Sequence, residues 1–202
     1  MLIAGAGVLL IAALGTVAFY AARPTFSFTN TLIAPVRLTV NDAIGTVPSG
    51  ETVKARVSRD RVVAQWELVR PLSADRRPMG EEVRGSWVIR EPRGTIVREA
   101  VPRVETGDYF APLVSNATEH LLRITVNAGL DGALDCGCAV RPGATRVFVG
   151  YYRLYQNSTV RATDPDGRIA TFQELGEEAR LRDWTVGLRF TPEAFRATPP
   201  GP

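Results

Sequence analysis

The chain has 202 residues and a mass of 22.0 kDa, with 45% hydrophobic and 22% charged residues. This composition excludes wholesale disorder, and a single long apolar run excludes a polytopic transporter. The net charge of +3 is spread along the chain without a nucleic-acid-binding motif, so no nucleic-acid partner is expected. The length that remains after the apolar run suits one ordinary domain, or at most two small ones.

The first predicted element is a transmembrane helix over residues 1–22. An uncharged apolar run from Leu2 to Tyr20 is long enough to cross the hydrocarbon core of a bilayer as a helix. Arg23 and Pro24 follow it as an interfacial cation and a helix terminator. Since no basic residue precedes the run and no good cleavage site follows it, a retained anchor is favoured over a cleaved signal peptide.

The residues around and within this helix predict its placement. Arg23 and Arg37 lie on its C-terminal side, which favours a cytoplasmic position for the rest of the chain, with the periplasmic side left open. The arginine bias and simple architecture are typical of bacteria, so we expect a single-pass protein of the inner (cytoplasmic) membrane. Gly5, Gly7 and Gly15 would let another membrane helix approach closely, which predicts helix–helix contact.

Residues 23–196 are predicted to form an all-β, antiparallel, immunoglobulin-like β-sandwich. Apolar and polar residues alternate with period two in several short segments, and Gly- and Pro-containing turns separate them. Seven to nine strands are expected, with the first beginning at Thr25 directly after the predicted anchor. The alternating segments include residues 36–40, 53–57, 62–68, 122–126, 147–151 and 184–190.

Other segments differ from this alternation. Residues 160–163 and 168–172 predict a β-hairpin closed by an Asp-Pro-Asp-Gly turn, and residues 172–182 predict a short helix. Residues 70–82 and 102–116 are predicted to be long connections, and the Pro-rich residues 197–202 an extended tail. No internal repeat with a fixed period is found.

Cys136 and Cys138, within Asp-Cys-Gly-Cys, form the motif best suited to chemistry. Residues two apart in a strand face the same side, so both sulfurs could bind one soft cation such as Cu(I). A disulfide across one residue is expected to fit poorly. Two inert, half-buried thiols are the alternative interpretation.

In layout the chain resembles the copper-delivery proteins of cytochrome oxidase assembly. Those proteins combine one N-terminal membrane helix, an immunoglobulin-like β domain and a Cys-Phe-Cys-Phe motif. Here Gly137 and Ala139 stand in the places of the two Phe residues. The resemblance implies a Cu(I) site at Cys136 and Cys138.

Aromatic residues give the candidate protein interface. Tyr109, Phe110, Tyr152 and Tyr155 could form an exposed contact patch, because tyrosine and arginine are favoured at interfaces. His120 is predicted to lie on the surface, since no second histidine accompanies it.

These patterns predict a non-catalytic accessory or structural subunit. It would anchor in the membrane and help to stabilise or assemble a larger membrane protein complex of the respiratory or photosynthetic type. Integral membrane proteins of that complex and the lipid bilayer are the expected partners. No cofactor and no small-molecule substrate are expected, since the sequence lacks a P-loop, a nucleophile elbow and a dinucleotide motif. The alternative is a membrane-anchored copper chaperone that uses the Cys-x-Cys site.

Overall fold

The computed structural model describes residues 23–130 and 134–195. Strands make up 50% of the structure and helices 7%, so the predicted all-β class with antiparallel sheets is confirmed. Within the two described ranges no helix is both long and apolar enough to span a bilayer. The helix predicted at residues 1–22 and the tail predicted at residues 197–202 lie outside the described residues.

The described residues divide into two compact units, each β-sandwich-like. Unit 1 contains residues 23–66 and 85–100, and unit 2 contains residues 67–84, 101–130 and 134–195. We predicted a single sandwich of seven to nine strands over residues 23–196. The described part of the chain forms sixteen strands.

Unit 1 is built from two sheets, with strand orders β4-β1-β7 and β3-β2-β5-β6. Strand β1 pairs with β4 in antiparallel and with β7 in parallel orientation. Alternate residues of β1 and β5 bury large side chains, among them Phe26, Phe28 and Trp66. The strands are β1 (Thr25–Asn30), β2 (Val36–Val40), β3 (Ala43–Val47), β4 (Thr52–Arg56), β5 (Arg61–Leu68), β6 (Arg84–Arg90) and β7 (Thr95–Ala100).

Unit 2 also contains two sheets. One has the order β11-β10-β14-β15, and in the other β9 is flanked by β12, β13, β16 and β8. The predicted β14–β15 hairpin and the predicted helix are confirmed. The elements are β8 (Arg103–Val104), β9 (Gly107–Asn116), β10 (Leu122–Val126), β11 (Leu134–Val140), β12 (Val147–Phe148), β13 (Tyr152–Arg153), β14 (Val160–Thr163), β15 (Ile169–Phe172), α1 (Leu175–Leu181), β16 (Thr185–Phe190) and a 3-10 helix (Pro192–Phe195).

Helix α1 lies against the backbone that precedes β14. Gly176 donates its N–H to the carbonyl of Gln156 at 3.3 Å. A Cβ at position 176 would lie 2.5 Å from the carbonyl oxygen of Tyr155, well inside van der Waals contact. Glycine weakens a helix intrinsically, but here it allows a close approach that alanine would block.

The prediction of a long connection at residues 102–116 is wrong, because β9 occupies most of that range. Residues 109–114 of β9 are all buried, so the strand lacks the polar alternation of a half-exposed one. Pro112 also argues against a central strand in sequence. The antiparallel neighbours β12 and β13 pair with residues on either side of it and leave a gap opposite Pro112, where its missing N–H is not needed.

A buried asparagine organises one end of unit 1. Asn30, at the end of β1, donates from Nδ2 to the carbonyls of Ala34 and Val47 at 2.9 and 3.0 Å. Its Oδ1 accepts from the N–H of Leu32 at 3.0 Å. Because Asn30 is fully buried, these bonds satisfy groups that water cannot reach.

Unit 2 contains the same arrangement at the end of β9. Asn116 donates from Nδ2 to the carbonyls of His120 and Val140 at 2.7 and 2.8 Å. Its Oδ1 accepts from the N–H of Thr118 at 2.9 Å. The asparagine, the turn that follows it and the strand that it contacts are therefore equivalent in the two units.

A second asparagine is also repeated. Asn41 after β2 and Asn127 after β10 have φ values of 51° and 56°. Asn41 donates its backbone N–H to the carbonyl of Val63 and accepts the N–H of Val63 at Oδ1. Asn127 makes the same two bonds with Thr159. The strand that ends at the buried asparagine pairs in parallel with a late strand of its unit, β1 with β7 and β9 with β16.

The two units are thus an internal structural repeat whose spacing varies. Asn30 and Asn116 are 86 positions apart, whereas Gly50 and Gly143, each of which donates its N–H to the carbonyl of that asparagine, are 93 apart. Insertions between the two pairs remove any fixed period. This explains why a search for regular self-similarity does not find the repeat.

Candidate functional site

Cys136 and Cys138 lie on β11, where its pairing with β10 is interrupted. Asp135 and Cys138 pair with consecutive residues of β10, so Cys136 and Gly137 form a bulge outside the ladder. Gly137 has a φ of +60°, which glycine adopts without steric cost. Alternate Cα atoms of a regular strand are about 6.6–6.8 Å apart. The bulge reduces this distance between the two cysteines to 5.1 Å.

The structure joins Cys136 and Cys138 by a disulfide. The expectation of a poor fit assumed the Cα spacing of a regular strand, which the bulge shortens. At 5.1 Å the Cα separation lies within the usual range for disulfides. The N–H of Cys138 also points to Cys136 Sγ at 3.2 Å, which holds the bulge in its bent form.

The disulfide belongs to the interior of unit 2. Cys136 is 7% exposed and Cys138 is 4% exposed, and both pack within the main hydrophobic cluster. The equivalent hairpin of unit 1, β2–β3, pairs without interruption. The cysteine bulge is therefore a specific feature of unit 2 and not part of the repeated framework.

This arrangement does not fit the copper site that the resemblance implies. Copper(I) binds cysteine as thiolate, and the sulfurs of Cys136 and Cys138 are bonded to each other and buried. Over residues 23–130 and 134–195, no three His, Cys, Asp or Glu side chains are grouped to hold a metal ion.

Most of the predicted aromatic contact patch is interior. Tyr109 is 5% exposed, Phe110 is fully buried and Tyr152 is 1% exposed, while Tyr155 is partly buried. The hydroxyl of Tyr152 donates to the carbonyl of Val149 at 2.8 Å, so its polar end is satisfied inside the unit. These aromatic side chains stabilise β9 and β13 and do not form an exposed patch. The glycines predicted to contact another membrane helix, Gly5, Gly7 and Gly15, lie outside the described residues.

The turn between β14 and β15 holds a buried carboxylate beside a cleft of about 370 Å³. Asp164 accepts from the backbone N–H and the Nε of Arg168 at 2.9 and 2.7 Å and from the N–H of Asp166 at 3.0 Å. Burial alone would raise the pKa of Asp164, but these hydrogen bonds and the Arg168 charge hold it below the ordinary value of 3.8. His120 lines the same cleft and is exposed, as predicted. The satisfied Asp164–Arg168 pair identifies this as a structural turn.

The first described residues of the chain already belong to unit 1. The carbonyl of Arg23 accepts from Arg56 at 2.9 Å, and the carbonyl of Pro24 accepts from the N–H of Val57 at 3.0 Å. Thr25 already belongs to β1 and is paired on both sides. The first described residues, Arg23 to Thr25, are therefore bonded to β4 and β7 of unit 1.

The alternation pattern missed two exposed apolar side chains, one on β6 and one on β7. Val88 is 57% exposed and Val97 is 56% exposed. On the opposite faces of these strands, the Trp87 ring packs edge-on against Phe28 at 6.2 Å, and the Arg98 guanidinium lies 5.9 Å from the same indole. Consecutive apolar residues, as in Trp-Val-Ile, were the available signal, because such a run places apolar groups on both faces of a strand.

Comparison of the chain with protein-family models and with curated protein sequences finds no match.

Proposed function

We propose that this protein is a non-catalytic accessory subunit that residues 1–22 anchor in a membrane as a single helix. Its two β units, which we propose are immunoglobulin-like, dock on a larger membrane protein complex. Unit 1 supports this class because its seven strands lie in sheets of three and four. The bilayer and integral membrane proteins of the complex are the proposed partners, with no substrate and no cofactor.

The observation that carries this proposal is the direct entry of the chain into β1. A protein that collects a ligand at a distance from the membrane needs a flexible tether, whose reach grows with its length. Arg23 and Pro24 instead bond to Arg56 and Val57 at the end of β4. A helix joined this closely to a folded unit fixes the unit beside the bilayer, which suits a permanent subunit.

For the orientation we propose the periplasmic face, the side that the sequence left open. Arg23 and Arg37 favour the cytoplasm, but two charges give a weak preference. The disulfide between Cys136 and Cys138 supports the opposite side, because such bonds persist in oxidising compartments and are rare in the cytosol.

The proposed contact surface in unit 1 is the exposed face of β6 that carries Val88. Val88 is 57% exposed, and the central part of a protein interface is more apolar than the rest of a protein surface. This surface replaces the aromatic patch that proved to be interior.

The test is solubilisation of the native membrane in a mild detergent, followed by size-exclusion chromatography and mass spectrometry. We expect the chain to migrate at a fixed ratio with one large complex. Val88→Glu should release it, whereas Leu181→Glu, at a residue 79% exposed on α1, should not. Migration of the wild-type chain as a free monomer would overturn the proposal.

A further inference from the structure

Six of the eight arginines of unit 1 gather at the end where the chain enters β1. The start of β1 pairs with the end of β4 and the start of β7, since Thr25 is opposite both Arg56 and Thr95. The β6–β7 turn and the start of β5 lie at the same end, because the N–H of Glu91 donates to the carbonyl of Asp60. The arginines of this basic end are Arg23, Arg56, Arg59, Arg61, Arg90 and Arg93.

The charge of the basic end is positive in excess. Its carboxylates are Asp42, Asp60 and Glu91. Asp42 is in the β2–β3 turn, which lies at this end because the N–H of Asn41 donates to the carbonyl of Val63 near the start of β5. Three carboxylates therefore face six arginines. Lys54, the single lysine of the chain, adds a charge beside Arg56 in a shallow groove of about 350 Å³.

An exposed apolar side chain lies at the same end of unit 1. Ile44 follows the β2–β3 turn and is 71% exposed, more than any other large hydrophobic residue of unit 1. Arg61, Arg90 and Arg93 are also exposed. Peripheral membrane proteins bind lipid interfaces by combining exposed cations with apolar side chains, and both occur at this end of unit 1.

The distance to the predicted anchor makes this pattern significant. Three Cα–Cα steps separate Ala22 from Thr25, so the start of β1, which belongs to the basic end, lies at most about 11 Å from the end of the apolar run. That distance is close to the screening length of about 8–10 Å at physiological salt. Charges at this end would therefore interact with the headgroups of the membrane that holds the anchor.

We propose that the basic end of unit 1, with Ile44 at its tip, binds the anionic phospholipid surface next to the anchor. Arginine suits this role because its guanidinium forms paired hydrogen bonds to phosphate oxygens. The contact would fix the tilt of unit 1 on the membrane. This inference rests on the proposed membrane anchor, and the experiment below separates the failure of one from the failure of the other.

The test uses the full chain in lipid nanodiscs of phosphatidylcholine alone, or of two parts phosphatidylcholine to one part phosphatidylglycerol. Ile44→Trp introduces an indole at the tip, and a lipid with a nitroxide on its headgroup quenches its fluorescence on contact. We expect at least twofold stronger quenching in the anionic nanodiscs, and high salt should abolish the difference. Pro48→Trp, at the opposite end of β3, is the positional control and should show no dependence on lipid charge.

A charge control accompanies the lipid comparison. The substitutions Arg61→Gln and Arg93→Gln together remove two charges from the basic end. Each substitution should lower the ratio of lipid-bound to unbound protein, measured for the basic end, by about fivefold. The matched pair Arg37→Gln and Arg123→Gln removes two exposed charges from equivalent strand positions elsewhere and should leave the quenching unchanged.

Three outcomes would overturn the inference. Equal quenching in both lipids by a chain that is incorporated in the nanodiscs overturns lipid binding and leaves the anchor intact. Quenching that appears only after a protein partner is added assigns the basic end to that protein. Failure of the chain to enter nanodiscs at all overturns both the anchor and the inference.

Discussion

Replacement of the buried asparagines should show how much the repeated framework contributes to each unit. Asn30→Ala removes the acceptor for the N–H of Leu32 and the donor to the carbonyls of Ala34 and Val47. A buried polar group left without a partner costs about 1–3 kcal/mol. Three such groups, partly reached by water in the space that the side chain leaves, should cost about 3–5 kcal/mol. That is a large share of the stability of about 5–15 kcal/mol that a domain has.

Asn30→Asp refines the same test. An aspartate keeps the acceptor for Leu32 but turns an oxygen toward the carbonyls of Ala34 and Val47. It should therefore destabilise unit 1 at least as much as alanine does, although its shape is the same. Asn116→Ala in unit 2 should have an effect of at least similar size, since Asn116 makes the same three bonds and also accepts from the Thr118 hydroxyl at 2.7 Å.

The assay is hydrogen exchange read by mass spectrometry on the full chain in detergent, with peptides from the unit that carries each substitution. Slowly exchanging strand amides report the opening free energy of that unit. Asn41→Gly is the control, because it loses one bond to an exposed side chain and keeps the positive φ, so about 1 kcal/mol or less should be lost. A loss below about 1 kcal/mol in both Asn30→Ala and Asn116→Ala would refute the reasoning.

Three further predictions concern unit 2 and the bulge. By mass spectrometry the intact protein should carry two hydrogens fewer than its reduced form, and it should bind Cu(I) only after reduction. The double substitution Cys136→Ala and Cys138→Ala should lower the unfolding free energy by about 1.5 kcal/mol, which is the value expected for a very short disulfide loop. An unchanged unfolding free energy would contradict the bond. Gly176→Ala should destabilise by about 1–3 kcal/mol in chemical denaturation despite its better helix propensity, whereas Gly45→Ala, with nothing within 4 Å of its Cβ, should not. Folding lowers the pKa of Asp164, so its ion pair stabilises the fold at pH values above the ordinary carboxyl pKa. This stabilisation is lost as the pH falls through the lowered pKa. Asp164→Asn should therefore remove the acid-dependent part of the plot of unfolding free energy against pH, and identical plots for the two proteins would contradict the assignment.

Sequence patterns located the strands that bury one face. Strands β5 and β10 alternate as predicted, since each has one side in a core and one in solvent. Strand β9 was not predicted because both of its faces are buried, which removes the alternation. Pro112 also argued against a strand, and it is accommodated only by the gap between β12 and β13. Periodicity reports one-sided burial and says little about a strand enclosed on both sides.

The candidate site was harder to predict for a related reason. The spacing of Cys136 and Cys138 was correctly identified as special, but the regular strand assumed for it gave two thiols facing one way. A left-handed Gly137 and a break in the ladder bend the strand instead. Bulges depend on the register of the neighbouring strand, here β10, and no local pattern in the sequence of β11 contains that register.

Comparison of the two units distinguishes the structural features that both share from those that occur in only one of them. Buried asparagines, positive-φ asparagines and parallel closure occur in both, so these features maintain the sandwich itself. The basic end around Ile44 belongs to unit 1 and the disulfide bulge to unit 2. Since neither is required by the shared framework, each is the better candidate for a function specific to its unit. We therefore place the membrane contact in unit 1. In unit 2, we interpret the disulfide as an adaptation to an oxidising face of the membrane.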